Sequence, residues 1–348
     1  MRFDSPLDTV LDPAIQQLVG HFASPRLPAA LKRLPSILRD PKGRLSDAGI
    51  YGFDGLLSPE LIPLAEKLYW QVVVRGGAGS RYAREGLLAP LAMAAAPRSL
   101  PFWERALEHS VPRDQFRKLQ QEFAVAGIAR IARQDDGATA RELLLSLASS
   151  HPNPHIQVLA IRALWLHRPS PLPDDVVALL KQLAVESRPL SLRHMARCGL
   201  KTAQLPVPLD LPGGSVVAQL KFEHDKGSFT SSIEVATDST LHTLHRTIQE
   251  ALDWDADHLY VFSIGSAGTI SGLSPFGEHT GGDDPDAGDW KIGELGLVKG
   301  ARLSYLFDFG DKHRFKLRII ELRSQATGDL PQVLSREGRR PVQYPSYR

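Results

Sequence analysis

The chain has 348 residues, 43% of them hydrophobic and 23% charged, with a formal net charge of +2. That length predicts two or three domains with ample surface to bury, and the balance is that of an ordinary globular protein. A single cysteine, Cys198, excludes an intramolecular disulfide and a cysteine zinc cluster and suits a reducing compartment. The apolar runs are too short to span a bilayer. The opening stretch, with Asp4 and Asp8 and no apolar core, does not read as a secretory signal. The expected location is cytoplasmic, with no membrane partner. Charge is unevenly spread: residues 1–215 hold 26 Lys and Arg against 20 Asp and Glu, a net of +6, whereas residues 216–348 hold 15 against 19, a net of −4.

The first two thirds predict helix after helix. Segments 6–22 and 28–39 come first. A start at Ser58-Pro59-Glu60 then offers a cap, a proline in the first turn and an acid near the positive helix end. Its apolar stripe is Leu61, Leu64, Leu68 and Val72, and Gly76–Ser80 ends it. Further helices are predicted near 81–95, 100–110, 112–134, 138–150, 154–167, 174–186 and 189–203, with no alternating strand pattern before Pro212. Val125–Arg130 resembles Val158–Ala163 and Arg193–Cys198, at offsets of roughly 33–35 residues, the range of stacked helix pairs. The expected fold class is therefore multidomain, opening with an all-α HEAT-like repeat domain over 1–204.

Residues 205–214, rich in proline and ending in Gly213-Gly214, forbid helix and mark a linker. Beyond it the pattern changes period. Val216, Ala218, Leu220 and Phe222 alternate, as do Phe229, Ser231, Ile233 and Val235, with Asp225-Lys226-Gly227 between them as a hairpin signal. Asp238 or Ser239 caps a helix whose stripe is Leu241, Leu244, His245, Ile248 and Leu252. Strands follow at 258–264, around Leu303, Tyr305 and Phe307, and around Phe315, Leu317 and Ile319. One helix on a mixed sheet, an α+β, β-grasp-like domain over 215–325, buries these faces most simply. Residues 326–348 are expected to be an irregular tail.

Several pieces in this region share an order with a known family. Leu244-His245, Ile248-Gln249, Trp254-Asp255, His258-Leu259, Phe262 and Asp308-Phe309-Gly310-Asp311 resemble the plasmid pRiA4b ORF-3-like family, also called transposon-passenger or TnpR-like. Leu330–Leu334 and Pro341–Pro345 resemble its C-terminal end. The resemblance spans residues 216–322 and the tail, about the last third. It implies a β-grasp-like fold and no established activity. Members usually carry an apolar-Pro-Trp-Arg run in the second strand, where this chain has Gly227–Ser232. They also carry Trp and then His after the DFGD, where this chain has His313 and Phe315.

Candidate chemistry is sparse. His245, Asp255, His258, Asp308, Asp311 and His313 form a candidate polar site, since carboxylates beside histidine can move protons. DFGD also reads as a tight turn, with glycine at a positive φ and aspartates bonding the turn amides. His279, Asp283, Asp284, Asp286 and Asp289 make an acidic, glycine-rich loop able to hold a hard cation, although the spacing is not that of an EF-hand. Gly76–Ser80 lacks the lysine of a phosphate loop. Arg130, Arg133, Arg162, Arg193 and Arg197, with Arg168, recur on the repeat helices and are candidate phosphate-backbone contacts. No catalytic residue and no cofactor is assigned. The leading expectation is a non-catalytic interaction protein binding a protein partner through the helical face or an interdomain cleft. The alternatives are nucleic-acid association linked to mobile elements, and a metal-dependent enzyme built on Asp308, Asp311 and His313. Oligomeric state is left open.

Overall fold

The computed structural model describes residues 91–109, 114, 117–166, 171–222, 229–264, 276–277, 287–326 and 328–344, together with residues 62, 63, 65, 66, 69, 70 and 88. The predicted helices 6–22 and 28–39, the Ser58 start, Gly76–Ser80 and the Asp225–Gly227 turn lie outside the described residues. The chain divides into two compact units, Met1–Pro152 and Asn153–Arg348. A helical region is followed by an antiparallel sheet, and no strand precedes Ser215 among the described residues. No described helix is long and apolar enough to cross a membrane.

In the first unit, α1 (Leu100–Glu108) packs on α2 (Arg117–Ile131), and α2 on α3 (Ala138–Ser150). Apolar spacing sets the contacts: Phe102, Trp103, Ala106 and Leu107 face inward from α1. Gln120 and Gln121 of α2 are buried. Gln120 Nε2 donates to the carbonyls of Ala106 and His109, and Gln121 Nε2 to that of Leu107. The last carbonyls of α1, which have no helical partner of their own, are thus satisfied by the next helix. Trp103 lies flat against Gly127, where an added Cβ would fall 2.3 Å from the indole Cε2. Gly127→Ala is therefore expected to cost about 1–3 kcal/mol through overpacking, read as a fall in the urea midpoint at unchanged slope; an unaltered midpoint would show that the helices part at no cost.

In the second unit, α4 (Pro154–Trp165), α5 (Asp174–Glu186) and α6 (Leu190–Thr202) form a three-helix layer. Asn153 caps α4 by accepting from His155 N, with proline at the first helical position. The same aromatic-on-glycine contact recurs: a Cβ at Gly199 of α6 would meet Trp165 Cδ1 at 2.6 Å. The proline-rich junction 205–214 lies inside this unit, between α6 and the sheet.

The sheet comprises β1 (Ser215–Phe222), β2 (Thr230–Ala236), β3 (Tyr260–Ile264), β4 (Phe276–Gly277), β5 (Arg302–Phe307), β6 (His313–Arg323) and β7 (Gln332–Glu337), in the order β4-β3-β5-β6-β1-β2-β7. The mixed sheet expected from sequence is not found among the described residues, where every strand pairing is antiparallel. The crossover helix α7 (Leu241–Leu252) carries the chain from β2 to β3, but β1, β6 and β5 lie between them, so no parallel neighbours result. The tail is likewise not irregular: Gln332–Glu337 pairs with β2 and forms an edge of the sheet. That strand is half-exposed to exposed throughout, so it carries no apolar alternation to read.

Helix α7 is capped by Thr240, whose hydroxyl accepts from Thr243 N, rather than by Asp238 or Ser239. It stops at Asp253, which is left-handed (φ 59°). Leu241, Leu244, His245, Ile248 and Leu252 are buried as the stripe predicted. They lie over an aromatic layer set by register: Tyr260 opposite Phe307, Phe262 opposite Tyr305, Tyr305 opposite Phe315 and Phe315 opposite Phe222.

Candidate functional site

The β5–β6 hairpin turns through Asp308–Lys312. Asp308 Oδ1 accepts from Gly310 N at 2.7 Å and from Asp311 N at 3.3 Å, the side-chain turn expected of this sequence. The positive φ falls at Asp308 and Lys312, both 56°, and not at Gly310. Gly310 matters for another reason: a Cβ there would sit 3.1 Å from Asp308 Oδ1.

Register then gathers the other groups. Pairing of Tyr260 with Phe307 carries the residues before β3 to the hairpin, and Asp308 N donates to Leu259 O. His258 Nε2 stands 3.7 Å from Asp308 Oδ2 and 3.9 Å from Asp257 Oδ1, too far for hydrogen bonds but near enough for charge attraction when protonated. His313 opens β6, buried against Trp254 with ring centroids 4.6 Å apart. One ligand atom each from Asp308, Asp311 and His313 lie within 4.8 Å of one another.

The C-terminal segment straps this end of the sheet. Trp254 Nε1 donates to Pro341 O. Gln343 accepts from Asp255 N and donates to Asp255 O and Asp257 Oδ1, and His313 Nε2 donates to Gln343 O at 2.8 Å. Tyr344 OH donates to Asp257 Oδ2 at 2.6 Å. That bond holds the Asp257 carboxyl below its usual range and pushes the Tyr344 phenol up to about 12. Sequence reasoning therefore placed Asp255, His258, Asp308, Asp311 and His313 together, but missed Asp257, Gln343 and Tyr344. The available signal was the Pro341–Pro345 stretch of the family resemblance.

His245 does not join them. It lies 1% exposed beneath the sheet face, its ring stacked on Tyr260 at 3.8 Å, with Nδ1 2.7 Å from Tyr305 OH. Gln249 Nε2 donates to the same phenol oxygen, so the phenol proton goes to His245 Nδ1. Burial, then the charges of His242 and Arg246, push His245 down to about 3, so it stays neutral. It is a satisfied core histidine.

Two of the candidate phosphate contacts are also withdrawn from solvent. Arg197 is 1% exposed, and its guanidinium donates to Ala184 O, Pro208 O, Gly293 O and Asp210 Oδ1. Half-buried Arg193 donates to Ser187 O and Gly296 O. Both fasten α6 to loops around the sheet and are not available to a phosphate backbone. Arg162 is half-buried in the second unit. Arg130 and Arg133 are exposed in the first, where Arg130 borders a cleft of about 570 Å³ with Ile62, Met93, Arg98, Gln134 and Asp136. Of the acidic loop only Asp289 is described, and it is exposed; His279, Asp283, Asp284 and Asp286, like Arg168, lie outside the described residues.

Cys198 and His194 lie 3.3 Å apart, the constellation of an activated thiol, but burial pushes the thiol up to about 12 and the imidazole down to about 3. Neither form needed for nucleophilic catalysis is populated near neutrality.

Comparison with known proteins places these observations. No curated protein matches the chain. A solved structure, described as a protein of unknown function from Methanosarcina mazei Go1, is similar at 21% identity over 36% of this chain and 72% of that one, with a TM-score of 0.31. Residues 217–343, which run from the third residue of β1 through β7 and include all of the strapped site except Tyr344, match the family model of the plasmid pRiA4b ORF-3-like proteins.

Proposed function

We propose that the protein is a non-catalytic interaction protein whose partner docks on the strapped end of the sheet. One observation carries this reading. Seven large apolar side chains are exposed among the described residues, and four of them, Leu259, Phe309, Val342 and Tyr344, belong to the segments that build this end. They stand among Asp255, Asp257, Asp308 and Asp311. An apolar surface set with carboxylates suits a protein segment that alternates Lys or Arg with apolar residues, because charge complementarity steers it and the apolar groups hold it. HEAT-like stacking of the helices and a β-grasp-like sheet domain belong to this reading as its scaffold; the repeated tryptophan-on-glycine contacts support the first and helix α7, laid over the sheet between β2 and β3 in the chain, the second.

Fluorescence polarisation of the full chain with a labelled peptide alternating arginine and leucine tests it. Val342→Lys and Phe309→Lys, both at exposed positions, are expected to weaken binding about tenfold, or 1.4 kcal/mol. Failure of the peptide to bind the wild type, or equal binding by both variants, would overturn the reading. Salt-sensitive retention of a DNA duplex in its place would favour the nucleic-acid alternative, which rests on the exposed Arg130 and Arg133.

A further inference from the structure

We propose that Asp308, Asp311 and His313 form an open, three-ligand site for a divalent transition metal ion of borderline softness, such as Zn²⁺. The inference does not depend on the partner-binding reading. Two independent observations meet in it. The first is the donor set: one imidazole nitrogen and two carboxylate oxygens lie within 4.8 Å of one another on a single hairpin. Around a tetrahedral Zn²⁺, ligand atoms sit roughly 3.3 Å apart. Both aspartates are half-buried on the turn, and a bound ion would draw the three groups together by that difference.

The second is the state of His313. The side chain is 5% exposed, boxed by Trp254, Phe307 and Phe222. Its Nε2 faces the Gln343 carbonyl, which can only accept, so the proton of the neutral ring sits on Nε2. Nδ1 then carries a lone pair, and no described group donates to it. An imidazole oriented through one nitrogen by a backbone carbonyl, on a hairpin that also carries two carboxylates, is the arrangement that metal-binding histidines adopt. Asp308 is prepared in the same way: the turn amides occupy Oδ1, leaving Oδ2 on the side of His258. Mixed nitrogen and oxygen donors favour Zn²⁺ and similar ions over Mg²⁺ or Ca²⁺, which take oxygen alone, and over soft ions that need sulfur.

The test is isothermal titration of the chelator-stripped full chain with ZnCl₂, alongside thermal melts with and without the ion. The wild type is expected to take one ion at this site and to melt higher with Zn²⁺, reversibly with EDTA. Asp308→Asn is the informative variant. Asparagine tolerates the positive φ and still accepts the turn amides through Oδ1, so the hairpin survives while the charge is lost. It and Asp311→Asn are each expected to weaken Zn²⁺ binding at least about tenfold. A folded wild type that takes up no Zn²⁺ would overturn the proposal. So would two folded variants that bind as tightly as the wild type, which would place the ion elsewhere, for instance in the 279–289 loop.

Discussion

Replacing Arg197 with leucine is expected to destabilise the second unit by about 3–5 kcal/mol, a large share of the total stability of a domain. The guanidinium is buried, and its bonds of 2.9–3.1 Å reach three separate pieces of chain: Ala184 at the end of α5, Pro208 and Asp210 in the proline-rich junction, and Gly293 in the short turn before β5. Leucine leaves the Ala184 and Pro208 carbonyls without this donor, each costing about 1–3 kcal/mol where it stays dry, while Gly293 O keeps the Asp210 amide. Asp210 adds less, since its side chain is 37% exposed and water can replace the lost cation. Lysine is expected to recover under half of the loss, because one ammonium cannot reproduce a planar fork directed at four acceptors. Urea unfolding checks both variants. A loss below about 1 kcal/mol, the value of a solvent-exposed pair, would show that the junction is held by something other than this side chain.

The same residue shows where the sequence stops being legible. Helix limits could be read because each helix carries its own punctuation. Ala138–Ser150 and Asp174–Glu186 fall on the predicted spans, and α4 and α6 begin at or beside Pro154 and Pro189. Whether a helical arginine meets water or a carbonyl is decided by other segments. Arg193 and Arg197 look in sequence like any solvated pair four residues apart. In the fold, α6 buries every residue from His194 to Leu200, so the Arg197 guanidinium turns onto backbone carbonyls and the Asp210 carboxylate.

The strapped site divides along the same line. Asp308, Asp311 and His313 were legible together because one hairpin holds them. His258 and Asp255 were legible as neighbours of Trp254, but their arrival beside Asp308 depends on the β3–β5 register. Asp257, Gln343 and Tyr344 were not legible, because the tail docks through single hydrogen bonds such as Trp254 Nε1 to Pro341 O rather than through an apolar stripe. His245 shares its helix stripe with four apolar residues, which gave its face but not its partner, Tyr305, sixty positions away.

Mild acid is expected to unfold the second unit well before its exposed carboxylates are exhausted. His245 and His194 are both buried and both pushed from 6.5 down to about 3. For His194 the cause is burial first and the Arg197 charge second, opposed by a backbone hydrogen bond at Leu295. For His245, protonation would also turn Nδ1 into a donor facing the Tyr305 phenol, which already takes a hydrogen bond from Gln249 and has no other described acceptor for its own proton. Unfolded, each imidazole takes a proton near pH 6.5; folded, neither does until about pH 3. Across that window the unfolded state binds more protons, so stability is full above it and falls as pH falls. Two such groups give a slope of roughly 2.7 kcal/mol per pH unit, enough to cancel a stability of about 5–15 kcal/mol within a few units. Glu66 acts in the opposite sense, since burial raises its carboxyl to about 7 against the lowering charge of Arg98, but it belongs to the first unit. The urea midpoint of the second unit is therefore expected to fall steadily below pH 6.5. His245→Asn, whose amide oxygen can still accept from Tyr305, is expected to lower stability at neutral pH while roughly halving that slope. A midpoint that does not change between pH 7 and pH 5 would mean that the two imidazoles are reached by water, and that the packing of α6 and α7 around them is looser than their burial indicates.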